Sequence, residues 1–232
     1  MVGVVQWLAL QLVELKMGVQ LPSPTHMEII KLSPESNLVP IARLYAQAFA
    51  GWPWFEVGLG PGCGEFRSEQ PGQPCPCGCG TLSPAYPETE TADYIIKEIT
   101  KPLAVALLAV SNSQLAGFAW GFQMTGSQFA QEKYKNSSSR PQIIQTVGTQ
   151  TYFYISEVGV DPLYQSNGAG TQLSISLAQG NLGLPLLMRT NQASPMLKIA
   201  QNQLQMQPAI ASWLDIVDPE NPARVILTKP KS

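Results

Sequence analysis

Apolar and polar residues follow two spacings along this 232-residue chain, one typical of strands and one typical of helices. Short apolar runs between turn residues predict strands over residues 27–32, 103–110, 115–124, 152–160 and 184–188. Apolar positions three and four residues apart predict helices over residues 37–50, 91–99, 171–179 and 194–204. Because the two kinds of element are interleaved, the sequence predicts an α/β fold with mixed layers.

Turn and cap residues add detail to this pattern. Asn37 and Thr91 are the expected caps of the first two helices. The second and third predicted strands are separated by four polar residues, which predicts an antiparallel hairpin. Residues 125–150 are polar and predict a helix fragment with a mobile loop. Near the end of the chain, residues 210–217 and 225–228 are expected to form a closing hairpin.

The pattern is interrupted over residues 57–87, a segment rich in glycine and proline that contains all four cysteines of the chain. The 232 residues suffice for one hydrophobic core and are cramped for two. This segment is therefore expected to be an insertion in a single domain over residues 27–230, and residues 1–26 are expected to be an N-terminal extension.

The extension contains an apolar stretch from Val2 to Val19, but polar and charged residues interrupt it. The uninterrupted part is well short of the roughly 18 residues that a membrane-spanning helix needs. No basic residue precedes Lys16, so the stretch lacks the charged start of a signal peptide. The expectation is a cytoplasmic protein with no membrane association.

Composition excludes several kinds of chemistry. Charged residues make up 13% of the chain and the net charge is −2, which disfavours a nucleic-acid partner. The single histidine, His26, lies in a proline-flanked stretch and is expected to be a solvated linker residue. Zinc proteases, two-histidine iron sites and histidine-dependent nucleophiles all need imidazole in the site. Proton transfer therefore falls to carboxylates, tyrosine, water or substrate amines.

The most informative segment follows the strand over residues 152–160, where Gln165-x-x-Gly168-x-Gly170 leads into a predicted helix. Glycines allow close approach of the backbone, and a helix N-terminus presents free amide N–H groups, so the loop is typical of a phosphate or pyrophosphate site. A Walker loop fails because no lysine lies between Gly170 and Thr171. A dinucleotide fingerprint fails because residues 161–167 separate the strand from the glycines and the third glycine is missing.

This motif, preceded by the strand end Val158-Gly-Val160-Asp-Pro162, resembles the acyl-coenzyme A pyrophosphate loop of the GNAT superfamily of N-acetyltransferases. That loop has the pattern Gln/Arg-x-x-Gly-x-Gly/Ala. The order of predicted elements from Met27 to Thr228 resembles the whole GNAT fold as well. The resemblance implies a single three-layer domain that uses acetyl-CoA. A glycine turn that caps a helix without binding phosphate is the alternative interpretation of the loop.

The resemblance also implies which residues bind acetyl-CoA. Backbone groups of Val158 and Val160 would pair with the pantetheine arm, as an added strand pairs with a sheet edge. Asn191 would contact the same arm. The pyrophosphate would be held by the loop and the helix start, at Gln165, Ser166, Asn167, Gly168, Ala169, Gly170 and Thr171.

In this family a substrate amine attacks the thioester directly, so the reaction needs a base for the ammonium proton and an acid for the thiolate. Glu157 is the only carboxylate on the central predicted strand and is the candidate catalytic base. Regular alternation would point it away from the face of Val158 and Val160. A bulge, which the resemblance implies here, would re-aim it. A structural or substrate-orienting role is the alternative.

The usual acid of the family is a tyrosine in the helix after the short strand, and Ala200-Gln201 stand in its place. This departure favours solvent or another group as the acid. Tyr154 on the central strand is a candidate, with core packing as the alternative.

The resemblance places the acceptor pocket beside the first helix and the loop after it. There Trp52, Trp54 and Glu56, with Trp120 on a neighbouring strand, could form an aromatic wall. Such a wall would bind an amine with an apolar body through cation–π contacts and charge pairing. Packing of these aromatic residues under the insertion is the alternative. The expected partner is a small-molecule or peptide amine, and the expected state is a monomer or homodimer.

The four cysteines, Cys63, Cys75, Cys77 and Cys79, have the spacing Cys-x11-Cys-x-Cys-x-Cys. Their clustering in one loop of a protein expected to be cytoplasmic argues against structural disulfides. Four thiolates can bind zinc tetrahedrally, although the spacing is not a regular pair of Cys-x-x-Cys knuckles. Some GNAT-like proteins carry a similar cysteine-rich insert after a motif like Pro53-Trp54. Structural zinc is the first hypothesis; reduced thiols without a ligand, and a redox or disulfide role, are the others.

The sequence thus predicts an N-acetyltransferase that transfers an acetyl group from acetyl-CoA to a primary amine. The alternative is a non-catalytic acyl-CoA-binding sensor or interaction module, in which the missing tyrosine reflects lost chemistry and the cysteine-rich loop binds a partner. A nucleotide-binding oxidoreductase is a third possibility that the length of the glycine loop disfavours.

Overall fold

The computed structural model describes residues 27–135, 137–181, 183–209 and 223–230. The expectations for residues 1–26, which include His26, and for a strand over residues 210–217 lie outside the described residues.

The described part of the chain contains ten strands, six α-helices and a single-turn 3-10 helix over Pro162–Tyr164. In chain order the strands are β1 (Met27–Lys31), β2 (Gly58–Leu59), β3 (Phe66–Arg67), β4 (Ser83–Pro84), β5 (Val105–Ser111), β6 (Gln114–Thr125), β7 (Thr151–Val160), β8 (Leu186–Asn191), β9 (Gln207–Pro208) and β10 (Arg224–Lys229). The helices are α1 (Val39–Ala50), α2 (Glu88–Ile99), α3 (Gly126–Lys133), α4 (Arg140–Val147), α5 (Ala169–Gln179) and α6 (Pro195–Asn202).

Seven strands form one mixed sheet in the order β1-β5-β6-β7-β8-β10-β9. All neighbouring strands are antiparallel except β7 and β8, which are parallel because α5 carries the chain across a face of the sheet between them. The predicted hairpin between β5 and β6 is present. Its two central residues, Asn112 and Ser113, have φ values of 50° and 63°, as the common two-residue hairpin turn requires.

Helices cover both faces of the sheet, which confirms the three-layer α/β prediction. On one face, α5 and α6 bury Leu173, Leu177 and Ala200 against β5 to β8 and β10. On the other face, α1 and α2 pack over Phe118 and Trp120, while α3 and α4 pack over β6 and β7. The central strand β7 therefore has a helix layer on each side.

Some element boundaries differ from the predictions. Helix α2 begins at Glu88, so Thr91 is a buried residue of the first turn and does not cap the helix. The extended backbone of Pro87 and acidic residues in the first turn start it earlier, where they suit the helix dipole. Helix α1 begins at Val39, whose N–H donates to Asn37 Oδ1 at 3.1 Å.

Two further differences concern elements that are longer or more numerous than predicted. Helix α4 was not predicted, because only Ile143 and Val147 provide buried apolar positions in it. Strand β8 continues to Asn191, since pairing with β10 carries its polar end into the sheet. Within the described residues, no helix combines the length and the apolar character needed to cross a bilayer.

Candidate functional site

A β-bulge in the middle of β7 determines where Glu157 points. Trp120 of β6 pairs with Glu157, whereas the next residue of β6, Gly121, pairs with Ile155, so Ser156 is the extra residue. Glu157 consequently faces α2, where its Oε1 accepts a hydrogen bond of 3.0 Å from the Tyr94 hydroxyl. The bulge implied by the resemblance is therefore present, and Glu157 shares the face of the first half of β7 that carries Tyr154.

Among the described carboxyl groups, Glu157 is the one whose protonation the fold perturbs most clearly. Its pKa is raised to about 7, chiefly by burial, against the positive charge of Lys133 and the hydrogen bond from Tyr94. The nearby carboxyl groups of Glu98 and Glu56 contribute to the increase. A carboxyl group with a pKa near neutrality is suited to accept and release a proton at physiological pH.

Beyond the bulge, β7 separates from its parallel neighbour. Pairing between β7 and β8 covers only Phe153–Ile155 and Leu186–Met188. Among the described residues, the rest of β7 therefore has no strand on that side, and a cavity of about 540 Å³, here called the wedge cavity, opens there. Val158, Gly159 and Val160 form one of its walls. An extended ligand could pair with these backbone groups as an added strand does.

The wedge cavity ends at the N-terminus of α5. Gly168 caps this helix in the left-handed conformation with φ 83°, which glycine adopts without strain. In the described part of the chain, no hydrogen-bond acceptor engages the backbone N–H groups of residues 165–171, and the first helical bond is from Gln172 N to Gly168 O at 2.9 Å. These free amides and the helix dipole form a site for an anion such as a pyrophosphate.

The structure brings most of the predicted acetyl-CoA residues together in the wedge cavity. Those that line it are Val158, Val160, Gln165, Ser166, Gly168, Ala169, Gly170 and Thr171. Asn167 and Asn191 are not among its lining residues. Asn191 is the buried last residue of β8, and its Oδ1 accepts a hydrogen bond of 2.8 Å from Ala193 N, which holds the turn into α6.

A second cavity of about 660 Å³, here called the central cavity, surrounds Glu157. Its ionisable side chains are Tyr45, Glu56, Tyr86, Glu90, Tyr94, Lys133, Tyr154, Glu157, Arg189 and Arg224. The two cavities share five lining residues, namely Phe49, Trp54, Val158, Ser194 and Met196. The carboxyl group of Glu157 and the anion-binding loop thus face adjoining spaces.

The aromatic wall is present in part. Phe49 and Trp54 line both cavities, and Trp52 lines the wedge cavity. Glu56 lies in the central cavity and accepts a hydrogen bond from the Tyr86 hydroxyl. Trp120 does not contribute, because it is fully buried under α1 and stacked on Phe118. For Trp120 the core-packing interpretation is therefore the correct one.

Three of the hydroxyl groups that reach the cavities are those of Tyr94, Tyr154 and Ser194, and of these the sequence indicated only that of Tyr154. Tyr94 lies on α2, 63 residues before Glu157, and sequence reasoning treated it only as an apolar anchor of the helix. Tyr154 lines the central cavity as well, and Ser194 at the start of α6 lines both cavities. No local motif marks Tyr94 or Ser194, since only the packing of separate elements brings them to the site.

The four cysteines of the insertion converge at one point. Their Sγ atoms lie within 4.8 Å of one another. The separation is 3.9 Å between Cys63 and Cys75, 3.3 Å between Cys75 and Cys77, and 3.6 Å between Cys79 and Cys63. Tetrahedral zinc with Zn–S bonds of about 2.3 Å would have sulfur atoms about 3.8 Å apart. No disulfide joins them, and the cluster can hold a metal ion.

The backbone around the cluster fits closely against the sulfur atoms. A Cβ atom at Gly60 would lie only 2.4 Å from Cys63 Sγ and 3.2 Å from Cys75 Sγ. Gly60 directly follows β2, the middle strand of a small sheet in the order β3-β2-β4. The same sheet contributes Leu59 and Phe66 to the lining of the central cavity. The cysteine cluster therefore lies behind one wall of that cavity.

Comparisons with known proteins identify the fold. No protein-family profile matches the chain, and no curated protein matches it in sequence. Many solved structures match it in fold. A mosquito arylalkylamine N-acetyltransferase like 5b has a TM-score of 0.53 at 11% identity, over 88% of this chain and 99% of that one.

Two other solved structures are similar to the same extent. An agmatine N-acetyltransferase has a TM-score of 0.52 at 12% identity, over 88% of this chain and 98% of that one. A Corynebacterium glutamicum histone acetyltransferase HPA2 and related acetyltransferase has a TM-score of 0.52 at 15% identity, over 89% and 97% of the two chains. Together with the splayed central strands and the glycine loop, these likenesses show that the chain has the mixed α/β fold of the GNAT N-acetyltransferases.

Proposed function

We propose that the protein is an N-acetyltransferase that transfers the acetyl group of acetyl-CoA to a primary amine. The observation that carries the proposal is the junction of the two cavities. The free amides at the N-terminus of α5 lie at the wedge cavity, and Glu157 faces the central cavity that adjoins it. A donor with a pyrophosphate and an extended arm fits the first space, and an amine beside a base fits the second.

In this proposal the backbone of Val158 and Val160 binds the pantetheine arm, and the amides of residues 165–171 bind the pyrophosphate. The thioester then lies near Val158, where the cavities meet. Glu157 accepts a proton from the ammonium group, and the free amine attacks the thioester carbon. The C–S bond breaks as the N–C bond forms, the nitrogen loses a second proton to become an amide, and the thiolate takes up a proton.

Three hydroxyl groups are candidates for the proton donor to the thiolate. Ser194 lines both cavities, while Tyr94 and Tyr154 line the central cavity. Burial raises the pKa of Tyr94, so it holds its proton and serves Glu157 as a hydrogen-bond donor. Of the three, only Ser194 lines both cavities, and its Oγ accepts a hydrogen bond of 3.1 Å from Met196 N while keeping its own proton to donate.

We also propose that the cysteine cluster binds structural zinc. The sulfur separations are close to those of a zinc tetrahedron, and Gly60 leaves room for the sulfurs to converge. A Zn²⁺ ion with four thiolates carries a net charge of −2, and Arg67, whose Nη2 lies 3.9 Å from Cys63 Sγ, would offset part of that charge. The zinc would brace the small sheet behind the central cavity.

Thermal unfolding with and without acetyl-CoA, followed by a thiol-release assay over a panel of amines, tests the main proposal. Acetyl-CoA is expected to raise the melting temperature, and at least one amine is expected to release free coenzyme A thiol. Absence of stabilisation would contradict the proposal. Stabilisation without thiol release from any amine would instead support the non-catalytic acyl-CoA sensor.

Glu157→Gln tests the assignment of the base. The substitution keeps the shape of the side chain and removes its basicity, so kcat is expected to fall by about 100-fold or more, with the KM for acetyl-CoA little changed. The wild-type kcat/KM should increase with pH up to about 7 and then level off, because Glu157 acts when it is deprotonated. A variant with the same rate and pH profile as the wild type would rule Glu157 out.

A further inference from the structure

Three cationic side chains line the central cavity, and the proposed transfer reaction uses none of them. Lys133 is the last residue of α3, Arg189 lies on β8, and Arg224 is the first residue of β10. In the antiparallel pairing of β8 and β10, Arg224 is opposite Asn191 and Ile226 is opposite Arg189. The two arginines are therefore diagonal neighbours on the same face of the sheet.

Arg224 has a buried hydrogen-bond donor without an acceptor in the described part of the chain. This donor is its Nε. Within that same part of the chain, no carboxylate forms a salt bridge with it. Its neighbour is the Trp54 ring, whose centroid lies 5.8 Å from the guanidinium carbon. A buried donor without an acceptor destabilises the protein, and more so when the group is charged.

Neighbouring groups increase this demand for an anion. Desolvation and the positive charge of Arg189 lower the pKa of Arg224. The buried carboxyl groups of Glu56 and Glu157 favour the charged form of Arg224, but in the described part of the chain neither forms a salt bridge with it. The Glu56 carboxyl group also accepts the Tyr86 hydroxyl. An anion brought by a ligand would accept the hydrogen bond that Arg224 Nε lacks and would offset the positive charge of the arginine.

Glu157 and Arg224 are lining residues of one cavity. They influence each other electrostatically. The cavity volume of about 660 Å³ is sufficient for a molecule that spans from one to the other. The guanidinium fork of arginine matches the two oxygens of a carboxylate. The geometry therefore has a place for an amine beside Glu157 and for a carboxylate beside the arginines.

We propose that the acceptor is an amino acid or another amine that carries a carboxylate, and that Arg224, with Arg189, binds this carboxylate while the amine faces Glu157. The inference rests on the proposed acetyltransferase function and specifies its substrate class. It also assigns Arg224 as the specificity-determining residue of the central cavity.

Matched pairs of amines that differ by a single carboxylate test the inference. Suitable pairs are tyrosine with tyramine, phenylalanine with phenethylamine, and arginine with agmatine, each assayed by thiol release from acetyl-CoA. In the wild type, the carboxylated member of at least one pair is expected to have a kcat/KM at least 10-fold higher than its partner. A phosphorylated amine, phosphoethanolamine, is compared with ethanolamine to distinguish a carboxylate site from a general anion site.

Arg224→Gln is expected to reduce the carboxylate preference at least 10-fold through the KM of the amine, and Arg224→Lys is expected to restore part of it. Arg43→Gln is the control, because Arg43 is an exposed arginine that pairs with Glu88 outside both cavities. The KM for acetyl-CoA and the thermal shift with acetyl-CoA report whether each variant is folded.

The outcomes separate this inference from the proposed function. If the amines without a carboxylate are turned over as well as or better than their carboxylated partners, the inference is overturned and the acetyltransferase function stays in place. The same holds if phosphoethanolamine is preferred over ethanolamine while no carboxylated amine is preferred over its partner. If no amine is turned over, the function fails, and thermal shifts with tyrosine and tyramine in the presence of coenzyme A then decide the inference. Stabilisation that depends on the carboxylate and on Arg224 would support it, and its absence would overturn it.

Discussion

At the scale of single residues, two opposing kinds of effect determine the protonation of Glu157. Burial disfavours the carboxylate and raises the pKa of Glu157 to about 7, whereas the positive charge of Lys133 and the hydrogen bond from Tyr94 favour the carboxylate. Because a base must be ionised to act and protonatable to turn over, the balance between the two effects sets the pH range of activity. Tyr94 is therefore a positioning residue in the proposed reaction.

Tyr94→Phe removes this hydrogen bond and should raise the pKa of Glu157 further. The rising limb of kcat/KM against pH is expected to move upward by on the order of one pH unit. The pH profile of thiol release measures the shift. Tyr152→Phe is a matched control, since Tyr152 is buried outside both cavities and donates to Val147 O. An unchanged limb in Tyr94→Phe would show that this hydroxyl does not act on the base.

At the scale of elements, the N-terminus of α5 affects both the stability of the helix and the proposed binding of an anion. Thr171 is the third residue of the helix, a position where a carboxylate stabilises the helix through its dipole. The same carboxylate would repel an anion bound to the amides of residues 165–171. Binding of a pyrophosphate and helix stability should therefore respond to a charge at Thr171 in opposite directions.

Thr171→Glu is expected to raise the KM for acetyl-CoA about 10-fold or more without lowering the melting temperature. The control substrate is S-acetyl pantetheine, which has the thioester arm and lacks the pyrophosphate. Its KM should be nearly unchanged by the substitution. Equal losses with both thioesters would place the pyrophosphate elsewhere.

The cysteine insertion is the second element with a testable requirement. Gly60→Ala would place a Cβ atom 2.4 Å from Cys63 Sγ, so the sulfur cluster could not close around a metal ion. We expect one zinc per chain in the wild type and a substoichiometric amount in Gly60→Ala, measured by metal analysis of protein purified without chelator. Gly51→Ala is the matched control, because among the described residues no atom other than those of its two chain neighbours lies within 4 Å of the added Cβ.

Loss of zinc should weaken binding of the amine substrate more than binding of acetyl-CoA. The insertion contributes Leu59 and Phe66 to the central cavity, whereas neither residue lines the wedge cavity. Gly60→Ala is therefore expected to raise the KM for the amine while the KM for acetyl-CoA stays near its wild-type value. A wild-type protein free of zinc, or a KM effect on acetyl-CoA alone, would contradict the proposed brace.

At the scale of the whole molecule, placing an ionisable base in the buried middle of a three-layer fold affects stability. Below the ordinary glutamate pKa of 4.5, Glu157 is protonated in both the folded and the unfolded chain. Between 4.5 and about 7 the unfolded chain ionises while the folded chain keeps its proton, so the free energy of unfolding falls as pH rises. Above about 7 the destabilisation is complete.

Glu157→Gln should remove this pH-dependent destabilisation. Relative to the wild type, the variant is expected to gain melting temperature as the pH is raised from 4.5 to 7 and to keep a constant advantage at pH 8 and above. Melting curves across this range measure the difference. Exposed Glu28 provides the control as Glu28→Gln, which should follow the wild type throughout. If the difference in melting temperature between Glu157→Gln and the wild type does not vary with pH, then folding does not raise the pKa of Glu157.

The sequence by itself determined much of the architecture. Apolar spacing is local, so it located the central strand, the helix after the glycine loop and the hairpin between β5 and β6. The loop from Gln165 to Thr171 was also predictable, because glycine spacing and the helix start are adjacent in the chain. Weak or shared signals failed: α4 has few apolar anchors, and the start of α2 depends on Pro87 and its acidic neighbours rather than on Thr91.

What only the tertiary structure decided is the contact between distant residues. The bulge at Ser156 aims Glu157 at Tyr94, and the pairing of β8 with β10 brings Arg189 and Arg224 to the same cavity. Folding of the insertion brings the four sulfur atoms together, whereas the cysteine spacing alone left open whether they share one site. Local sequence encodes periodicity and backbone freedom, whereas the chemistry of a site depends on which elements pack together, and that is set by the sheet order and the core as a whole.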